Sequence, residues 1–144
     1  MKALTLFVAG ILMVTAQTCK KKSIDTSQLP ALGDTLIVVL NEPLMLKNGS
    51  TILFEKLEES RCPKGISCIR AGEAIASMQV GQGDKKESMT LESKGMCEQD
   101  NGKCGQSKST GGLQYHLLNI YPYPGSGSSE KTYAKMIVKN APSS

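Results

Sequence analysis

Residues 73–80 read EAIASMQV, with Ala74, Ala76, Met78 and Val80 at every second position. A period of two puts those four side chains on one face of an extended chain, so the stretch predicts a half-buried β-strand. On its C-terminal side, GQGD at 81–84 is a turn and ESMTLE at 87–92 alternates again, with Met89 and Leu91 expected inward. On its N-terminal side, LIVVL at 36–40 is a run of strand length rich in β-branched residues. Residues 44–47 predict a short strand before the Asn48-Gly49 turn, and TILFEKL at 51–57 follows, so these two should pair as a hairpin. QYHLLNIY at 114–121 and TYAKMIVK at 132–139 predict the last two strands, joined by PYPGSGSS at 122–129, which a central strand could not contain. Residues 93–112 are rich in Gly, Ser, Lys and Asn and read as a long surface loop. No stretch holds a helical period for three turns. The expectation is an all-β domain over residues 35–140, a small antiparallel β-sandwich or barrel of about seven strands with disulfide-stapled loops.

The totals leave room for one such domain. The chain has 144 residues, with no Trp, two Phe and four Tyr, so its core must come from Leu, Ile, Val, Met and Ala. A formal charge of +4, with lysines interleaved by acidic residues, is too mild to argue for nucleic acid.

The first residues, MKALTLFVAGILMVTAQTC, comprise one lysine, an apolar stretch from Ala3 to about Ala16, and small or polar residues before Cys19. That is the layout of an export signal over residues 1–18. The apolar run is shorter than the ~20 residues of a spanning helix and is closed by Lys20, Lys21 and Lys22. Cleavage after Ala16 would release a soluble secreted protein. Cleavage before Cys19 would leave a cysteine able to carry acyl chains, with residues 19–34 as lipidated cysteine and polar tether and 141–144 as a C-terminal tail. The segment Ala16-Gln17-Thr18-Cys19 resembles a relaxed lipobox, with Thr18 where Gly, Ala or Ser is usual. Thr18-Cys19-Lys20-Lys21-Lys22 resembles the start of many lipoproteins from the Bacteroidetes. The lysines, standing where surface-exported lipoproteins of that phylum tend to be acidic, favour a lipid anchor in the outer membrane facing the periplasm.

Cysteine arithmetic favours the lipidated product. Five cysteines entering an oxidising compartment cannot all pair, and reserving Cys19 for lipid leaves Cys62, Cys68, Cys97 and Cys104. Four cysteines allow three pairings. The simplest joins neighbours, across PKGIS between Cys62 and Cys68 and across EQDNGK between Cys97 and Cys104. Structural zinc prefers cysteine gaps of about two to four residues and added histidines, whereas these gaps are five and six and His116 is the sole histidine. A redox Cys-x-x-Cys is absent. Copper on Met78, Met89 and Met96 competes with core packing, which the strand pattern favours for the first two. No cofactor or metal is implied.

Residues 59–74 read ESRCPKGISCIRAGEA. This resembles the hallmark of a widespread, uncharacterised family of small bacterial secreted proteins and lipoproteins: an acidic residue, Ser-Arg-Cys-Pro, a short loop, a second cysteine, then usually Trp-Ala-Gly-Glu-Ala. Glu59, Ser60, Arg61, Cys62, Pro63, Cys68, Ile69, Ala71, Gly72, Glu73 and Ala74 match, and Arg70 stands where tryptophan is usual. The strand running into Pro-Tyr-Pro at 115–124 and the final strand at 133–139 are similar to that family's ending. The resemblance implies the same domain across most of residues 34–139, with the Cys97–Cys104 loop an addition. It implies no activity.

No catalytic constellation emerges. His116 is expected to share a face with Leu118 and Ile120 as a packed or hydrogen-bonded side chain. The neighbouring carboxylates Glu58 and Glu59, and Glu98 and Asp100, read as solvating charge. The expected function is therefore a non-enzymatic envelope lipoprotein, its membrane contact made by lipid. The Cys62–Cys68 loop would contact an envelope protein partner through Arg61, Lys64, Arg70 and Glu73. The blander expectation is that Arg61 and Glu73 pair only to brace that loop. A third reading is protease inhibition, with Lys64 offered to a trypsin-like enzyme.

Overall fold

The computed structural model describes residues 26–95, 97 and 103–142. The export signal, Cys19, Met96, Glu98 and Asp100 lie outside the described residues. Among the described residues eight strands follow one another: β1 (Thr35–Val39), β2 (Pro43–Met45), β3 (Ser50–Glu59), β4 (Glu73–Gln82), β5 (Lys85–Lys94), β6 (Ser107–Thr110), β7 (Leu113–Tyr121) and β8 (Tyr133–Asn140). They form two antiparallel four-stranded sheets, β1-β8-β7-β6 and β2-β3-β4-β5. Apart from the β1–β8 closure, each strand pairs within its sheet with a sequence neighbour, so the chain is a meander folded over on itself.

Both seams between the sheets are stitched by backbone. Leu40 bridges Phe54 on one side. On the other, Ser93 bridges Gly105, and the amides of Gln106 and Lys94 donate to the carbonyls of Glu92 and Cys104, each at 2.8 Å. The result is a flattened, barrel-like sandwich whose two sheets meet at one isolated bridge on each side.

The core follows the alternation read from the sequence. Ala74, Ala76, Met78 and Val80 of β4 all face inward against Leu36, Val38, Ile52, Phe54, Leu91, Leu117, Ile120, Met136 and Val138. Met78 and the half-buried Met89 pack with this core, so their sulfurs fill space among aliphatic side chains. The short β2 and β3 pair around Asn48-Gly49, with Gly49 at φ 81° and the Asn48 side chain accepting the Ser50 amide. Residues 83–84 close the β4–β5 hairpin in two residues.

Three expectations change. The loop read at 93–112 contains β6, which pairs with β7 through the two-residue turn Gly111-Gly112, both at positive φ. Its sequence SKST has no apolar face, so periodicity could not reveal it; hydrogen bonding to β7 makes it a strand. Secondly, β7 has a bulge between Leu117 and Asn119 that shifts its register on β8. Leu117 and Ile120 therefore both reach the core, and His116 does not share the face of Ile120. Its Nδ1 instead lies against the Ser107 hydroxyl on β6 at 2.5 Å. The end of the expected tether is also part of the folded body: Leu32 packs on the core, the Gly33 amide donates to Val138, and the Pro30 carbonyl accepts from Lys47.

The strands give the molecule two poles. One holds residues 30–34 and the turns at 46–49, 83–84 and 111–112. The other gathers the loops 60–72 and 122–132 with residues 95, 97 and 103–106, and with them all four described cysteines.

Candidate functional site: the cysteine pole

The 60–72 loop grows from the ends of β3 and β4. The Ser60 amide and hydroxyl both donate to the Glu73 carbonyl at 2.8 Å, and the Cys62 amide donates to Ala71 at 2.9 Å, so the loop leaves the sheet as a narrow neck. Cys62 and Cys68 then close its tip, with Cα atoms 5.9 Å apart; Cys97 and Cys104 are joined likewise at 5.6 Å. Both local pairings expected from spacing are present. The Lys64 amide donates to the Pro124 carbonyl at 2.8 Å, fastening the tip to the 122–132 loop.

The neck requires glycine at two places. Gly72 has φ 65°, and a Cβ there would lie 1.8 Å from the Ser60 carbonyl oxygen. A Cβ on Gly95 would fall 1.9 Å from the Ala71 oxygen, because the Gly95 amide donates to Gly72 at 2.9 Å. The two loops approach backbone to backbone, and any side chain would wedge them apart.

Beneath the neck lies Arg61, whose side chain is wholly buried. Its guanidinium makes a two-pronged contact with Glu59, Nε at 2.8 Å and Nη2 at 2.5 Å. Nη1 donates to the Asn119 side-chain oxygen at 3.2 Å and to the Ile120 carbonyl at 2.9 Å, while the guanidinium carbon stands 4.6 Å from the centre of the Tyr123 ring. A buried cation needs this degree of pairing, since removing it from water costs several kcal/mol.

Asn119 is the hub of the arrangement. Its oxygen also accepts from the Ser93 hydroxyl at 2.9 Å and the Ile120 amide at 2.8 Å, and its Nδ2 donates to the Cys97 carbonyl at 2.8 Å. One amide thereby ties β5, β7 and both cysteine loops together.

Arg61 therefore braces the loop, but through Glu59 and not Glu73. Glu73 begins β4 on the outward phase, opposite the buried Ala74, and its carboxylate is exposed. Glu59, read as solvating charge, is half-buried as the Arg61 partner, whereas Glu58 is exposed and bonds Lys56, which holds its carboxyl below the usual carboxylate range.

Of the four proposed contact residues, Arg61 is interior and Lys64, Arg70 and Glu73 are at the surface. Sequence reasoning missed two neighbours: Ile69 is fully exposed and Ile66 is 61 % exposed. Their signal was their position, since Ile66 sits inside the seven-residue covalent ring and Ile69 directly follows its second cysteine, where neither can turn back to a core. The surface of the tip thus combines two apolar side chains with the cations Lys64 and Arg70. Among the described residues no group of three or more His, Cys, Asp or Glu side chains is placed to hold a metal ion. Comparison with protein-family models, curated proteins and solved structures found no match for this chain.

Proposed function

We propose that this protein is an envelope lipoprotein, anchored through Cys19, whose β domain is a rigid mount for a binding loop at residues 62–70. The observation that carries the reading is the full exposure of Ile69 beside Ile66 on a covalently closed, buried-arginine-braced loop. Burying an isoleucine side chain contributes roughly 1.5–3 kcal/mol, so two left in water at one tip forgo a gain that a partner surface can return. Because the ring and its brace fix the tip, little conformational entropy is lost on docking. Lys64 and Arg70 flank the isoleucines, so the complementary surface is an apolar recess rimmed by carboxylates on another envelope protein.

The anchor and the loop are tested separately. Mass spectrometry of the mature protein should find acylated Cys19 at the N-terminus; an unmodified chain beginning at Gln17 would instead mean a soluble secreted protein. For the loop, Ile66→Ser with Ile69→Ser should leave folding intact and abolish recruitment of the partner; undiminished recruitment would end the loop reading. In the inhibitor reading, exposed Lys64 would enter a trypsin-like enzyme. Its amide is already bonded to Pro124, which works against the extended pairing a protease needs. Lasting inhibition, without cleavage after Lys64, would favour that alternative.

A further inference from the structure

At the pole opposite the cysteines, the barrel mouth between the β4–β5 and β6–β7 turns opens into a cavity of about 240 Å³. Its wall includes Ser50, Val80, Lys85, Glu87, Thr110 and Leu113. Ser50 shares the inward phase of β3 with Ile52 and Phe54, is 1 % exposed, and its hydroxyl has no hydrogen-bond partner. A buried hydroxyl without a partner is uncommon and marks a place where a ligand or water completes the bonding. Val80 and Leu113 supply apolar surface. Lys85 and Glu87, two apart on one face of β5, bring opposite charges to the rim, and Thr110 donates its hydroxyl to Glu87 across the mouth.

We propose that this cavity binds a small zwitterion with an apolar side chain, of the α-amino-acid class. Its volume falls below the roughly 300–1,000 Å³ of ordinary ligand pockets, which excludes nucleotides and lipids by size. A simple carboxylate would meet Lys85 but also Glu87, and a simple amine would meet the reverse conflict. A zwitterion answers both charges, offers the Ser50 hydroxyl a carboxylate oxygen, and lays its side chain on Val80 and Leu113. The site is independent of the binding-loop reading, since it lies at the other pole.

The test is an amide-resolved NMR titration of the purified, oxidised protein with L-leucine, compared with 4-methylpentanoate and 3-methylbutylamine, which each lack one charge. The expected result is saturable shifts at residues 50, 80–82, 85–87 and 110–113, with either analogue at least about tenfold weaker. Lys85→Ala and Glu87→Gln should each weaken leucine without disturbing amides at the cysteine pole. Ser50→Ala removes an unpartnered hydroxyl, so it should fold well and still bind leucine less tightly. Absence of saturable shifts up to tens of millimolar, or equal responses to all three compounds, would overturn the proposal.

Discussion

At the residue scale, the stability of the cysteine pole depends on a charge that has left water. Arg61 has no exposed side-chain surface and uses all three guanidinium nitrogens on Glu59, Asn119 and Ile120. Removing one partner of a buried pair costs about 3–5 kcal/mol, and the partial exposure of Glu59 places Arg61→Ala toward the lower end. Arg61→Lys should lose nearly as much, because an ammonium cannot reproduce the planar fork; urea unfolding of both variants checks this. Asn119→Leu should also cost at least about 2 kcal/mol, by leaving Arg61, Ser93 and the Cys97 carbonyl short of a partner. Arg61 was legible as a motif residue, but Asn119 was not. A lone Asn in QYHLLNIY gives no sign that a bulge will turn it inward.

Tyr115 supplies a pH dependence. Burial, and then the nearby Glu87 carboxylate, push its phenol above the usual tyrosine range. The folded state therefore holds that proton more tightly than the unfolded chain does. The associated stability is complete below the unfolded pKa of about 10 and is lost as pH climbs from there through the raised folded value. Tyr115→Phe should flatten the alkaline fall in urea midpoint above about pH 10, and an unchanged fall would place its cause elsewhere.

At the scale of the element, the loops separate entropy from fit. Opening Cys62–Cys68 with paired serines should cost about 2.4 kcal/mol by loop closure, and the one-residue-longer Cys97–Cys104 ring about 2.5 kcal/mol. Urea unfolding reads that loss, and amide exchange in residues 60–72 should also quicken, because the first ring fixes the shape of its loop. Gly72→Ala should be worse than an ordinary glycine change, because its Cβ would strike the Ser60 carbonyl as well as fixing an unfavourable φ. Gly127→Ala, with no atom within 4 Å, should show only the cost of positive φ, about 1 kcal/mol. Thermal unfolding of the two side by side gives the difference.

The elements also show where pattern reading succeeds. Strands such as β4 announce themselves, since one buried face forces strict alternation. The β6 strand, with alternate residues exposed and the others only half-buried, carries no such pattern. The Gly111-Gly112 turn was its available signal, because two adjacent positive-φ residues suit a tight hairpin. His116 was assigned the face of Ile120 because alternation was carried unbroken through the β7 bulge.

At the scale of the whole molecule, the barrel separates two kinds of surface. Ten-residue strands such as β4 span about 33 Å between the poles. Residues 30–33 are held at the pole away from the cysteine loops by Val138 and Lys47. Ten residues separate Pro30 from Cys19, so the eleven Cα-to-Cα steps reach at most about 40 Å when fully extended. A tether from Cys19 would therefore join the domain at the pole of the mouth cavity, opposite Ile66 and Ile69, and is long enough to let that loop reach a partner away from the lipid.

The most direct measurement places a photo-crosslinking side chain at position 69, and in a separate variant at position 37, in the full chain within intact envelopes. Ile37 is an exposed strand isoleucine distant from the loop and serves as the comparison. The account predicts one discrete adduct from position 69, none from position 37, and loss of the adduct when Lys64→Ala and Arg70→Ala are added. No adduct from position 69, or the same adducts from both positions, would contradict it.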